Sequence, residues 1–292
     1  MPHAFKAPEN VVEESGLARR YFMKTMPYVR KLLRLFWLLL LPLMIYLIVV
    51  DLVFVFWELF IYEVGEEQKL FLTAIAAALA FVPLGFWYWS GRRSRSQKRR
   101  WHPCLVICGI VAGAGACLFF NGILHWLPLP AEGYYEVKRV LYRPSLWIQF
   151  ISMGLVIPVA EELVFRGLGY GRLRRELSAG TANALSAVWF GLYHGNLVQG
   201  IYAGFLGALA AAFYEVSDSL WICCLFHGAA NVTAIMGTRY FSGENTGILT
   251  MRKPEIIAFG SLLLIVAVII FFPYTRSSKT AANKIRRDGE KT

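Results

Sequence analysis

The chain has 292 residues, 57% of them hydrophobic and 15% aromatic, with a mean hydropathy of +0.49 and a net charge of +11. A soluble domain of that length needs far more polar cover, so composition excludes an ordinary soluble protein. The 5 cysteines (Cys104, Cys108, Cys117, Cys223, Cys224) all fall in apolar runs, which speaks against a disulfide framework and for small packing residues.

Residues 1–35 are mixed and polar and do not have the layout of a cleavable signal peptide. They read as a cytoplasmic arm. Eight apolar runs follow, at Phe36–Trp57, Lys69–Trp89, Cys104–Trp126, Ser145–Gly169, Ala182–Leu197, Gln199–Tyr214, Ser219–Tyr240 and Glu255–Pro273. Runs near 20 residues are long enough to cross roughly 30 Å of hydrocarbon as helices. The fifth and sixth are short, share only "GNLVQG" between them, and suit one helical hairpin. The predicted fold is all-α and polytopic, with about eight transmembrane helices forming a bundle around a central polar cavity. Its parts are the arm (1–35), three N-terminal spans (36–144), a core (145–240), a last loop and span (241–273) and a cytoplasmic tail (274–292), read as disordered.

Basic residues orient these spans. Of 30 Lys and Arg, 23 fall in the arm, the loop "GRRSRSQKRR", the stretch from Arg166 to Arg175, and the tail. With eight spans those four segments share one side, and the positive-inside rule makes that side the cytoplasm, termini included. The basic loop reads as a topology anchor against anionic lipid. It is too short to predict a nucleic-acid partner.

Ionisable residues inside a membrane are costly and are functional candidates. The core holds three such places. In "IPVAEELVFRG", Glu161, Glu162 and Arg166 interrupt an apolar run; "WFGLYHG" carries His194; "CLFHGAANV" carries His227 and Asn231. Glu162 and Arg166 are four apart and can form an ion pair on one helix face, while Glu161 is rotated from Glu162 by about 100°. At 1.5 Å per residue from the basic side, Glu161 lies about 16 Å deep, His194 about 21 Å and His227 about 12 Å. Three helices thus bring polar groups to one slab of the bilayer. Asp51 sits near a span end and reads as structural. Glu215 and Asp218 flank a turn and read as solvated. His3, His102 and His125 have no partner visible in the sequence.

A glutamate beside a histidine is a general-base pair that can polarise a trapped water for attack on a carbonyl. A second histidine with an asparagine supplies donors for the oxyanion of the tetrahedral intermediate. That is equipment for amide hydrolysis, and no G-x-S-x-G serine motif competes with it. Cys224, three residues before His227, is a minor nucleophile option. Zinc is the rival chemistry: Glu161, His194 and His227 could ligate it with water in the fourth position. No H-E-x-x-H is present and Asn231 is a poor zinc ligand, so no cofactor is the favoured reading and zinc the alternative.

"EELVFR" fits a Glu-Glu-x-x-x-Arg motif, Phe190 and His194 a Phe-x-x-x-His motif, and His227 and Asn231 a His-x-x-x-Asn motif. In that order they resemble the CPBP family of intramembrane proteases, which includes the CAAX prenyl endopeptidases and relatives linked to bacteriocin processing. The resemblance covers about Ser145 to Met236. It implies a glutamate-dependent endopeptidase with eight helices around a conical cavity open to the cytosol. Glu161 and His194 would activate water, His227 and Asn231 would form the oxyanion hole, and Glu162, Arg166 and Phe190 would support the site. The implied partner is a membrane-embedded or prenylated protein substrate. The implied location is the plasma membrane in a bacterium or the endoplasmic reticulum in a eukaryote. Two other functions use buried Glu and His. A transporter would show paired repeats with broken helices in both halves, whereas the polar residues here crowd one half. A non-catalytic immunity or binding protein of the same fold would use the cavity without cutting.

Overall fold

The computed structural model describes residues 9–61, 63–92, 102–124, 126–130, 132–241 and 254–289. His3, His125 and the basic loop from 93 to 100 lie outside these. The regular elements among the described residues are all helical: α1 (Glu9–Phe60), α2 (Glu66–Arg92), α3 (Pro103–Leu124), α4 (Glu132–Tyr142), α5 (Leu146–Glu176), α6 (Ala179–Tyr193), α7 (Leu197–Ser217), α8 (Leu220–Phe241) and α9 (Pro254–Gly289). Helices are what an apolar chain must form in lipid, because each satisfies its own backbone.

Seven of them contain a stretch long and apolar enough to cross a membrane: 29–60 in α1, 66–91 in α2, 254–275 in α9, and all or nearly all of α3, α5, α7 and α8. The fifth predicted span is α6, and at 15 residues it extends only about 22 Å. It pairs with α7 as a hairpin turning at His194–Asn196, where Gly195 takes φ +72° and the Asn196 side chain caps α7 by accepting from the Gln199 amide at 2.9 Å. The outer surface is apolar. Phe86 (77% exposed), Val82 (67%) and Ile269 (66%) face outward, as lipid requires and water would not favour.

Two further departures concern the edges. The tail read as disordered continues α9 to Gly289; no proline follows Pro273 to stop it. And α4, counted in none of the eight runs, is an amphipathic helix, placing Tyr134, Val137 and Leu141 along a single wall of the interior cavity. It is too short and polar to span.

The core lies where α5 threads the bundle. Leu163, Phe165, Leu168, Tyr170 and Phe190 are all 2% exposed or less. Small residues let the helices meet: a Cβ on Gly191 would sit 2.6 Å from the Gly200 carbonyl, so α6 and α7 touch backbone to backbone.

Candidate active site

Helix α5 is not uniform. Residues Ser152–Val156 and Leu163–Tyr170 are π-helical, on either side of an ordinary α-helical turn, Ile157–Glu162. Pro158 explains the first interruption. The Ile157 amide donates to the Ser152 carbonyl, five residues back, and Pro158 has no N–H to continue the ladder. The Met153 carbonyl is thereby left without a helical donor. Asn231 of α8 fills the gap, its Nδ2 donating to that oxygen at 2.8 Å. Widened turns of this kind recur at functional sites.

The two glutamates part as their spacing predicts. Glu162 is fully buried, and its Oε1 meets Arg166 Nη1 at 3.1 Å. The same oxygen accepts from His227 Nδ1 at 2.9 Å. A carboxylate held against a guanidinium stays an acceptor, so this bond assigns the Nδ1–H form to His227. Glu161 turns instead to the cavity, with its Oε2 3.8 Å from His227 Nε2. That distance is too long for a hydrogen bond and leaves room for a small shift or a bridging water. Tyr193 lies beside the Glu161 carboxyl, with the Tyr46 ring behind it, centroids 6.3 Å apart.

His194 ends α6. Its Nδ1 donates to the Phe190 carbonyl at 2.8 Å, which leaves Nε2 free of that bond. Phe190 is the hub of the packing: the Arg166 guanidinium lies 4.3 Å from its centroid, and the His194 and His227 rings sit edge-on at 4.8 and 5.7 Å. Glu161, Phe190, His194, His227 and Asn231 all line one cavity of about 320 Å³. Glu162 and Arg166 stand behind its wall. Its other walls include Tyr134, Leu141, Tyr142, Ile157, Tyr202 and Leu206. Tyr134 lies outside the spans, and burial pushes its phenol well above the usual range, so it stays neutral there.

Other candidates fall elsewhere. Cys224 does not line the cavity, and Cys108 donates to the Ala267 carbonyl as a packing thiol. Asp51 is exposed on α1. Glu215 is not merely solvated: Arg174 pairs with it at 2.9 Å and the Tyr170 hydroxyl donates to it at 2.6 Å. His102 gains a partner in the Tyr274 hydroxyl, 2.9 Å away. Among the described residues no three His, Cys, Asp or Glu side chains are gathered as a ready metal site; His227 Nδ1 is bound to Glu162, which leaves its Nε2 facing the cavity. Sequence reasoning missed Tyr193, although it directly precedes His194, and missed the Met153 carbonyl and α4.

Comparison with known proteins bears on the segment that carries this geometry. Residues 143–233 match the family model of the type II CAAX prenyl endopeptidases, Rce1-like. The match spans α5 to the middle of α8, about a third of the chain, and takes in Glu161, Glu162, Arg166, Phe190, His194, His227 and Asn231. No curated protein and no solved structure matches the chain. The match supports, in general terms, a CAAX-type intramembrane protease, and with seven candidate spans it makes the chain an integral membrane protein.

Proposed function

We propose that this protein is an intramembrane endopeptidase that hydrolyses a peptide bond in a protein that is either membrane-associated or lipidated (CAAX-type). Glu161 and His194 activate the attacking water, and His227 and Asn231 hold the oxyanion. Glu162, Arg166 and Phe190 position them. The observation that carries the reading is the convergence of Glu161, His194, His227 and Asn231, from three helices, on one cavity.

The chemistry follows from the contacts. Glu161 takes a proton from water as the water oxygen attacks the carbonyl carbon, and the carbonyl oxygen becomes an anion. Asn231 spends one N–H on Met153 and keeps the other for that oxygen. His227 donates Nδ1–H to Glu162, so its Nε2 can donate only once the ring is doubly protonated. Glu161, 3.8 Å away, is placed to supply that proton. Collapse of the intermediate breaks the C–N bond, and the proton goes to the leaving amine. Apolar walls exclude bulk water, which strengthens these interactions.

The test is cleavage by purified protein in detergent, with a prenylated CAAX-type peptide and a membrane-peptide library as substrates. Wild type is run beside Glu161→Gln and His194→Ala, each with and without a strong chelator. Both variants should lose activity by roughly 10²–10⁴-fold, with no effect of chelator on wild type. Loss on chelation, restored by zinc, would make the enzyme metal-dependent. Variants that cut as well as wild type would overturn the site assignment.

A further inference from the structure

The cavity lies toward one side of the bundle, as its lining shows. Connectivity gives the helix ends two faces. The start of α1, the end of α2 and the end of α9 share the face of the chain termini; the end of α1, the starts of α2 and α5, and the end of α3 share the opposite one, with α4 between the last two. The cavity lining beyond the catalytic groups comes from the half of the bundle nearest this opposite face. Thr73 belongs to the early turns of α2, Leu124 ends α3, Tyr134 and Leu141 come from α4, and Gln199 from the first turn of α7. Toward the terminal face the site is shut. Phe165, Arg166, Leu168 and Phe190, each 2% exposed or less, form a packed plug beneath the catalytic groups.

Charge adds the second fact. Leaving out the buried Arg166, 22 of the 30 Lys and Arg belong to sequence segments that connect on the terminal side, which the positive-inside rule makes the cytoplasmic one. A cavity open to the cytosol, as the family resemblance implies, and termini in the cytosol, as the charges imply, do not fit together in this fold. We propose that the segment cut by this protein enters from the non-cytoplasmic face, past α4, and that the substrate is a membrane-anchored protein segment exposed on that face rather than a cytosolic prenylated C-terminus. This inference rests on the proteolytic reading of the site. It also assigns a role to α4, whose Tyr134, Val137 and Leu141 form an apolar wall beside the entry while Glu136 and Arg139 pair on its exposed side.

Thiol labelling tests the access face without any cleavage. Cells making the full chain are converted to sealed vesicles, right-side-out and inverted, and treated with a membrane-impermeant maleimide. Native Cys104, exposed at the start of α3, reports the terminal face. Glu136→Cys reports α4 and Val198→Cys the cavity, with Thr73→Cys as a second cavity reporter should the first fail to fold. The expected pattern is Glu136→Cys and the cavity cysteine labelled in right-side-out vesicles, and Cys104 labelled in inverted ones. A cavity cysteine labelled only together with Cys104 overturns the proposal, as does Glu136→Cys labelled only in inverted vesicles. Added Glu161→Gln leaves the labelling unchanged. A chain that labels as expected yet cuts no peptide therefore overturns the proteolytic reading and leaves the access face standing.

Discussion

Glu162 Oε1 stands 2.9 Å from His227 Nδ1 and 3.1 Å from Arg166 Nη1, so one buried oxygen balances a cation and orients an imidazole. The two tasks separate by mutation. Glu162→Gln leaves the Arg166 charge buried without its counter-ion, which costs about 3–5 kcal/mol; thermal unfolding in detergent reads this as a large drop in midpoint. Glu162→Leu combined with Arg166→Met removes both charges and restores most of that stability. Cleavage stays lost in the double variant, because His227 has no acceptor to fix its ring. A Glu162→Gln protein as stable as wild type would show that Arg166 finds its balance elsewhere.

Asn231 divides its two N–H groups between structure and chemistry. Replacement by alanine frees the Met153 carbonyl and costs about 1 kcal/mol of stability. Its effect on turnover is larger, roughly 10²–10³-fold in kcat, as for other single oxyanion donors. KM should hardly move, since the lost bond forms only as charge develops. Steady-state kinetics on one peptide separates the two: a rise in KM at constant kcat would make Asn231 a binding residue.

Tyr193 was not foreseen, and it lies beside the Glu161 carboxyl. Tyr193→Phe keeps the ring packing on Phe165 and Phe190 and removes only the hydroxyl. The expected loss is about 0.5–1.5 kcal/mol, up to roughly ten-fold in kcat/KM, with an unchanged unfolding midpoint. Tyr46→Phe, one layer back, should cost less. Equal and large losses for both would mean that the tyrosine pair holds the fold.

What the sequence made legible was whatever follows from helical period and hydropathy. Spacing alone separated Glu161 from Glu162 and paired Glu162 with Arg166, because a four-residue interval survives the change from α to π turns. Depth counting brought His194 and His227 to the level of Glu161. It did not reveal that His227 leans on Glu162, since that contact joins residues 65 apart and depends on how α5 and α8 are rotated. Nor did it reveal the Met153 carbonyl as a partner; Pro158 was the available signal, and its missing N–H had to be followed five residues back. Helix α4 escaped because a hydropathy window built for 20-residue spans passes over an 11-residue amphipathic helix. The fifth run is a helix, α6, shorter at 15 residues than the other spans, and the hairpin it makes with α7 was legible in the short "GNLVQG" link.

The distance between α5 and α8 is set by glycine, and this gives a last prediction. A Cβ on Gly228 would press into the Gly154 carbonyl, and backbone cannot move aside as a flexible side chain does. Gly228→Ala therefore separates the two helices. His227 is the neighbouring residue and Asn231 lies one turn on, so both shift relative to Glu161 and Met153. The expected cost is about 1–3 kcal/mol of stability from overpacking. Cleavage should fall further than that loss explains, because a small displacement of oriented groups is costly to rate. Gly180 is the control. A Cβ there meets open space in the first turn of α6, and Gly180→Ala should stabilise by about 0.5–1 kcal/mol through the unfolded chain. Measured side by side at a temperature where both variants are folded, Gly228→Ala should cut slowly and Gly180→Ala at the wild-type rate. Wild-type cleavage by Gly228→Ala would show that the site tolerates a wider gap between α5 and α8 than the Asn231–Met153 bond of 2.8 Å implies.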